Sequence, residues 1–274
     1  MIPSPTFSTL TLGPLTLHYY AISIILGIVV AVYVGQKRYA SLGGNPGEVS
    51  DAAIWAVPFG IIGGRIYHVI TSPQQYFGQN GNPVDALRIW KGGLGIWGAI
   101  LIGACGAFIY FKTHNTTLKF SQFLDALAPG VVLAQAIGRI GNWFNQELFG
   151  KPTDLPWGLE IKQSSRPDGY EQFLTFHPTF LYELLWCVAV AVILIKLPGF
   201  IRKVPKKSGD IFVIYILAYS LGRLWIEALR IDDANLIFGV RLNIWVSLIA
   251  IISSYIYLAR SKAGENEAKK IVSS

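Results

Sequence analysis

Apolar residues in this chain gather into runs of about twenty, separated by shorter polar stretches. A helix rising 1.5 Å per residue needs roughly 20 residues to cross a hydrocarbon core of about 30 Å. Seven runs are close to that length: about 19–36, 51–71, 93–112, 121–138, 178–196, 210–229 and 242–260. The pattern predicts an all-α polytopic membrane protein, a single integral domain over residues 1–274 with seven transmembrane helices. The fourth run holds Pro129 and Gly130, so a kink is expected there; membrane helices tolerate one where neighbours satisfy the freed carbonyl. Residues 143–177 contain KPTDLPWG and SSRPDGY, too interrupted by Pro and Gly for one long helix. Trp143, Phe144, Trp157, Tyr170 and Phe173 give that segment packing surface. It is therefore expected to form a small extracytoplasmic cap of short strands or turns between helices 4 and 5. The polar tail 261–274 is expected to fray on the cytoplasmic side.

Composition agrees with this class. Of 274 residues, 52% are hydrophobic and only 14% charged, against about 25% charged in soluble domains. The net charge of +7 does not imply nucleic acid, because the basic residues form no face able to follow a phosphate backbone. They orient the chain instead. One set of alternate loops holds Lys37, Arg38, Lys112, Lys119, Lys196, Arg202, Lys203, Lys206, Lys207, Arg260, Lys262, Lys269 and Lys270. Cytoplasmic loops are enriched in Lys and Arg, so the expected topology has the N-terminus outside and the C-terminus cytoplasmic. The first eighteen residues carry no Lys or Arg, and the first apolar segment is expected to be retained rather than cleaved. Cys105 and Cys187 lie in separate apolar runs and read as small buried hydrophobes. No zinc or iron spacing occurs and the four histidines are scattered, so no metal site is expected.

The chemistry lies where polar residues interrupt these runs. An arginine at the centre of a membrane helix costs roughly 2.5–3.5 kcal/mol on insertion scales, so such residues need partners or a purpose. GRIGNWFNQELFG, Gly138–Gly150, puts Arg139, Asn142, Asn145, Gln146 and Glu147 after an apolar run, with Arg139 expected to end the helix and open a Gly-flanked turn. Tyr219, Arg223, Glu227 and Arg230 fall within an arc of about 80° at 100° per residue, one polar stripe with Arg223 and Glu227 as i,i+4 partners. Arg65 lies well inside the second run beside Tyr67 and His68. His177 and Pro178 open the fifth run, with Tyr182 and Glu183 a turn further on. Tyr19, Tyr20, Trp90 and Trp97 fit an interfacial aromatic belt. Two polar constellations inside a bilayer suit a ligand both charged and lipid-soluble, a phospholipid headgroup foremost. Arginine fits that role because its planar fork donates paired hydrogen bonds to phosphate. Structural helix pairing, or a transporter for a lipid or small anion, would use the same residues.

Four blocks resemble the bacterial prolipoprotein diacylglyceryl transferases: KGGLGIWGAILIG, GRIGNWFNQELFG, HPTFLYE and YSLGRLWIEALR, in family order along the chain. The resemblance implies transfer of the sn-1,2-diacylglyceryl group from phosphatidylglycerol to the lipobox cysteine of a preprolipoprotein signal peptide. A thioether forms and glycerol phosphate leaves, the first step of lipoprotein maturation in the bacterial cytoplasmic membrane, with no cofactor. It implies Arg139 and Arg223 as essential arginines, with Glu227 and Glu147 orienting them. It implies Asn142, Tyr20, Tyr219 and Gly150 at substrate-binding positions, with His177, Glu183, Arg65 and Trp97 as accessory residues. Many members carry a histidine in an HGG motif where this chain has Trp97, which cannot take a proton. The proton acceptor is then left open among Glu147, His177 and Tyr20.

Overall fold

The computed structural model describes residues 1–13, 15–79, 81–200 and 208–272. A hairpin of β1 (Thr9–Leu12) and β2 (Leu15–His18) leads into helix α1 (Tyr19–Ser41). Then follow α2 (Gly47–Thr71), a single turn α3 (Gln74–Phe77), α4 (Ile96–Thr113), α5 (Phe120–Asn145), α6 (Thr179–Phe200), α7 (Asp210–Leu229) and α8 (Leu242–Val272). Two further antiparallel pairs are minimal: β3 (Leu159–Glu160) with β4 (Thr175–Phe176), and β5 (Leu236–Ile237) with β6 (Val240–Arg241). Among the described residues, seven helices, all but α3, are long and apolar enough to cross a membrane. Between 11% and 44% of each span is buried, so most of this apolar surface needs lipid rather than water around it.

The helix bounds follow the apolar runs with informative departures. The run at 210–229 matches α7 end to end. Helix α5 does not stop at Arg139 but continues to Asn145, so GRIGN is helical rather than a turn. Pro129 sits inside that helix, as Pro58 does inside α2. The tail expected to fray continues α8 to Val272. Of the basic residues that set the expected orientation, Arg202, Lys203, Lys206 and Lys207 lie outside the described residues. The chain divides into two compact units, residues 1–35 with 124–274, and residues 36–123.

In the first unit, α1 and α5 approach through small residues. A Cβ on Gly27 would stand 3.1 Å from the Ala134 carbonyl oxygen, one on Gly130 2.7 Å from that of Ala31, and one on Gly141 2.7 Å from the Tyr20 ring. Each step forward along α1 is matched by an equal step back along α5, the register of an antiparallel pair. Small residues hold membrane helices this way because close backbone approach replaces the missing hydrophobic drive. Helix α7 is fixed at its start by Asp125 of α5, which accepts from the Gly209 amide at 2.7 Å and the Phe212 amide at 2.9 Å. A carboxylate there satisfies orphan donors and meets the positive end of the helix. Helix α6 is pinned to α7 by Trp186, whose indole N–H donates to the Ala218 carbonyl at 2.9 Å. The same ring fills the space a side chain at Gly222 would need. Between these contacts Ala128, Val132, Ala136, Cys187, Val190, Leu194 and Tyr215 form an apolar core. Cys187 therefore sits where a small hydrophobe would. Residues 146–178 fold over Phe149, Leu159, Ile161 and Phe176, with Ile2 packed on that cluster.

In the second unit, α2 and α4 pack through glycines at the same intimacy, a Cβ on Gly63 falling 2.4 Å from the Gly98 carbonyl oxygen. Glu48 there accepts from the Tyr39 hydroxyl at 2.6 Å and the Thr117 amide at 2.9 Å.

Candidate active site

Three helices of the first unit bring their interrupting charges to one place. Arg139 lies one turn beyond Ala136 of the apolar core on α5; Glu183 lies one turn before Cys187 on α6; Tyr219 lies one turn beyond Tyr215 on α7. At helical spacing these residues share the faces that build the core, so the polar cluster caps it. Glu183, 3% exposed, receives both arginines: Arg139 Nη2 at 2.9 Å on Oε1 and Arg223 Nη1 at 2.9 Å on Oε2. The Tyr219 hydroxyl donates to the same Oε1 at 2.9 Å. The two arginines identified from separate sequence blocks thus converge on one carboxylate. Their side chains keep 21% and 13% exposure, against 4% for the carboxylate between them.

From this centre the polar contacts continue in both directions. Arg139 Nη1 donates to Asn142 Oδ1 at 3.1 Å, and Asn142 Nδ2 donates to Glu147 Oε1 at 2.8 Å. Asn145 Nδ2 reaches the same Glu147 oxygen at 3.2 Å. In the other direction Arg223 Nη2 pairs with Glu227 Oε2 at 2.6 Å, the i,i+4 contact expected from the stripe. Glu227 is fully buried and also meets Arg230 at 3.4 Å and Arg241 Nε at 2.8 Å, with Asn243 Nδ2 at 3.1 Å. Asp232 closes the end, gripped by Arg230 at 2.7 Å and by Arg241 Nη2 at 3.0 Å. Burial opposes its ionisation, but the bonds and charges of Arg230 and then Arg241 outweigh burial and hold its carboxyl below the usual aspartate range. Four guanidinium groups (Arg139, Arg223, Arg230, Arg241) and four carboxylates (Glu147, Glu183, Glu227, Asp232) make one balanced array.

Several expected positions take a different part from the one the sequence suggested. Glu147 was expected to orient an arginine directly; it acts through Asn142, while Glu183, expected as accessory, holds both arginines. Glu147 can fold back because the helix ends in a left-handed turn, with φ of 52° at Gln146 and 59° at Leu148. Such conformations cost about 1–3 kcal/mol for residues other than glycine and persist where surroundings over-determine them. Here Gln146 Nε2 donates to the Pro5 carbonyl at 2.8 Å and its Oε1 accepts from the Lys162 amide at 2.9 Å. Tyr20 lies with its ring against Gly141 and stays 39% exposed. Gly150 sits where three segments meet: its amide donates to the His177 carbonyl at 2.9 Å, and it bridges Arg230 in antiparallel register. A Cβ there would meet His177 at 2.9 Å, so the position needs a glycine to bring the Glu147 turn against the end of α7. His177 Nδ1 lies 3.1 Å from the Tyr182 hydroxyl, and burial, then the nearby Lys151 charge, lower its pKa from the usual histidine value.

Arg65 and Trp97 belong to the second unit. Arg65 is buried and spends its guanidinium on backbone carbonyls of 85–93: Ala86 at 2.8 Å, Gly92 at 2.6 Å and Gly93 at 2.9 Å, with Asp85 also accepting. It staples the loop before α4. Trp97 is the second residue of α4 and half-buried. Sequence reading passed over Arg241, Asp232 and Asn243. Arg241 lies directly before an apolar run and reads as an ordinary loop charge.

A family model described as prolipoprotein diacylglyceryl transferase matches residues 8–260. The phosphatidylglycerol–prolipoprotein diacylglyceryl transferase 2 of Streptomyces coelicolor is 51% identical over 253 residues, covering 92% of this chain and 78% of that one. The enzyme of the same description from Streptomyces griseus is 49% identical over 270 residues, covering 97% and 80%. That of Corynebacterium efficiens is 48% identical over 280 residues, covering 98% and 85%. The chain belongs to the prolipoprotein diacylglyceryl transferase family.

Proposed function

We propose that this multi-pass membrane protein transfers the diacylglyceryl group of phosphatidylglycerol to the thiol of the lipobox cysteine in a preprolipoprotein signal peptide. The observation that carries the reading is the convergence of Arg139 and Arg223, from different helices, on one carboxylate-sized anion. A phosphodiester offers the same paired oxygens, and the arginine fork matches them. The thiolate sulfur attacks the glyceryl carbon bearing the phosphate ester oxygen. That C–O bond breaks as the C–S bond forms, and the electron pair leaves with glycerol phosphate. Negative charge grows on the departing phosphate, so two fixed guanidinium groups stabilise the transition state more than bound lipid.

The other residues hold this geometry. Glu227, clamped by Arg230, Arg241 and Asn243, aims its Oε2 at Arg223. Asn142 fixes Arg139 through its oxygen, Glu147 locks its orientation through one amide N–H, and the second N–H is assigned to a headgroup oxygen. Tyr219 holds Glu183 from α7, and Tyr20, half-exposed against Gly141, is assigned to lipid contact. The Lys and Arg distribution supports an outside N-terminus and a site near the outer leaflet. Purified protein incubated with labelled phosphatidylglycerol and a lipobox peptide is expected to give a lipopeptide. The same peptide with serine for cysteine gives none. A protein that binds or moves the lipid but leaves the cysteine peptide unmodified would refute the assignment.

A further inference from the structure

Glu183 raises a question that the transfer chemistry leaves open. Its two oxygens already occupy the guanidinium hydrogens a phosphodiester would need, and it is nearly inaccessible while both arginines keep open faces. A carboxylate and a phosphodiester cannot both take the same fork of each arginine. The four carboxylates and four guanidinium groups balance, so an incoming phosphodiester is one negative charge in surplus. Thioether formation also releases the thiol proton, and the Trp97 indole has no basic lone pair to receive it.

We propose, resting on the transfer reading above, that Glu183 is a resident stand-in for the substrate phosphate, exchanged on lipid entry, and that the released carboxylate accepts the proton of the lipobox thiol. In the structure Oε1 accepts from Arg139 and Tyr219, and Oε2 from Arg223. When the phosphodiester takes the arginines, the Tyr219 hydroxyl keeps Glu183 at the site and the two vacated oxygen positions become proton acceptors. The balance is complete: the thiol proton passes to a Glu183 oxygen and the sulfur pair forms the C–S bond. The C–O pair departs on glycerol phosphate, and product loss returns Glu183, after giving its proton to water, to the arginines. The arrangement keeps the arginines paired and the array neutral until lipid arrives, then supplies a base only in its presence.

The test separates binding from turnover. Binding of a short-chain phosphatidylglycerol to detergent-solubilised protein and cysteine-dependent lipopeptide formation are measured for wild type, Glu183→Gln and Glu183→Asp. Glu183→Gln keeps the shape, loses the competing charge and cannot accept the proton. It is expected to bind phosphatidylglycerol at least as tightly as wild type while its kcat falls at least about 100-fold, the range for loss of a general base. Glu183→Asp keeps the charge on a shorter arm that spans the two arginines poorly. It should bind the lipid more tightly than wild type and retain transfer above the glutamine variant. Should Glu183→Gln fail to fold, weaker lipid binding by Glu183→Asp overturns the exchange by itself. Weaker binding by Glu183→Gln would make the residue a structural counterion, and turnover within threefold of wild type would remove it as base. If wild type itself makes no lipopeptide, the transfer reading fails instead.

Discussion

Arg139 and Arg223 differ from lysines in ways this site uses. Each makes separate contacts through Nη1 and Nη2: Arg139 to Asn142 and Glu183, Arg223 to Glu183 and Glu227. A lysine ammonium keeps the charge but lacks a planar fork that bonds two partners in fixed directions. Arg139→Lys and Arg223→Lys are each expected to lower lipopeptide formation by at least about 100-fold, the usual loss when a positioned donor is removed from a transition-state site. Transfer rates near wild type in either folded variant would contradict that. Asp232 makes a prediction about pH. Its folded pKa lies below the ordinary 3.8, so as pH falls the unfolded chain takes up its proton first. Its contribution is therefore present above 3.8 and is lost as pH drops through the folded value. Thermal unfolding followed from about pH 6 to about pH 3 should show a shallower acid decline for Asp232→Asn than for wild type. Parallel curves would show that the Arg230 and Arg241 contacts do not stabilise the ionised form.

At the scale of elements, the site depends on how α5, α6 and α7 are fixed to one another. Asp125 ties the start of α7 to α5, and Trp186 ties α6 to α7 through the Ala218 carbonyl and the bare face of Gly222. With those contacts in place, the register of each helix delivers Arg139, Glu183 and Arg223 to one spot, about four turns from the Asp125 cap and beside Trp186 and Gly222. Asp125→Ala removes two backbone caps from a buried helix start and should cost about 1–2 kcal/mol. It should also lower transfer, although Asp125 lies about four turns from Arg139 along α5. Asp125→Asn retains an acceptor and should recover part of both. The check is the melting temperature together with the transfer rate, and loss of stability with unchanged transfer would show that the α7 start does not set the site.

For the whole molecule, orientation follows from where Lys and Arg accumulate rather than from any single contact. A reporter fluorescent only in the cytoplasm, fused after Ser274, is expected to fluoresce, and a periplasmic phosphatase fused there should stay inactive. The opposite pair of results would invert the topology and move the arginine cluster to the inner leaflet. The folded segment 146–178 supports the site from its own side: Phe149, Leu159, Ile161 and Phe176 form a separate small core, and Gly150 joins it to the end of α7.

The sequence alone determined the seven spans, the extent of α7, the inward polar stripe of Tyr219, Arg223, Glu227 and Arg230, and the presence of a charge at Arg139 beside an apolar run. These are local properties: hydropathy sums over neighbours, and helical spacing places residues three or four apart on one face. Tertiary structure decided the partners. Glu183 is forty residues from Arg223, and no periodic pattern links them. Packing of α6 on α7 through Trp186 and the bare face of Gly222 brings them into contact. The same holds for Arg241 and Asp232, which read as loop charges until the chain folds back onto Glu227. Likewise, α5 continues past Arg139 because an intramembrane arginine with a paired carboxylate need not end a helix. A charge in a bilayer is legible in sequence because burying it is costly. Its compensating group is legible only in three dimensions, because any residue the fold brings within hydrogen-bonding reach can serve.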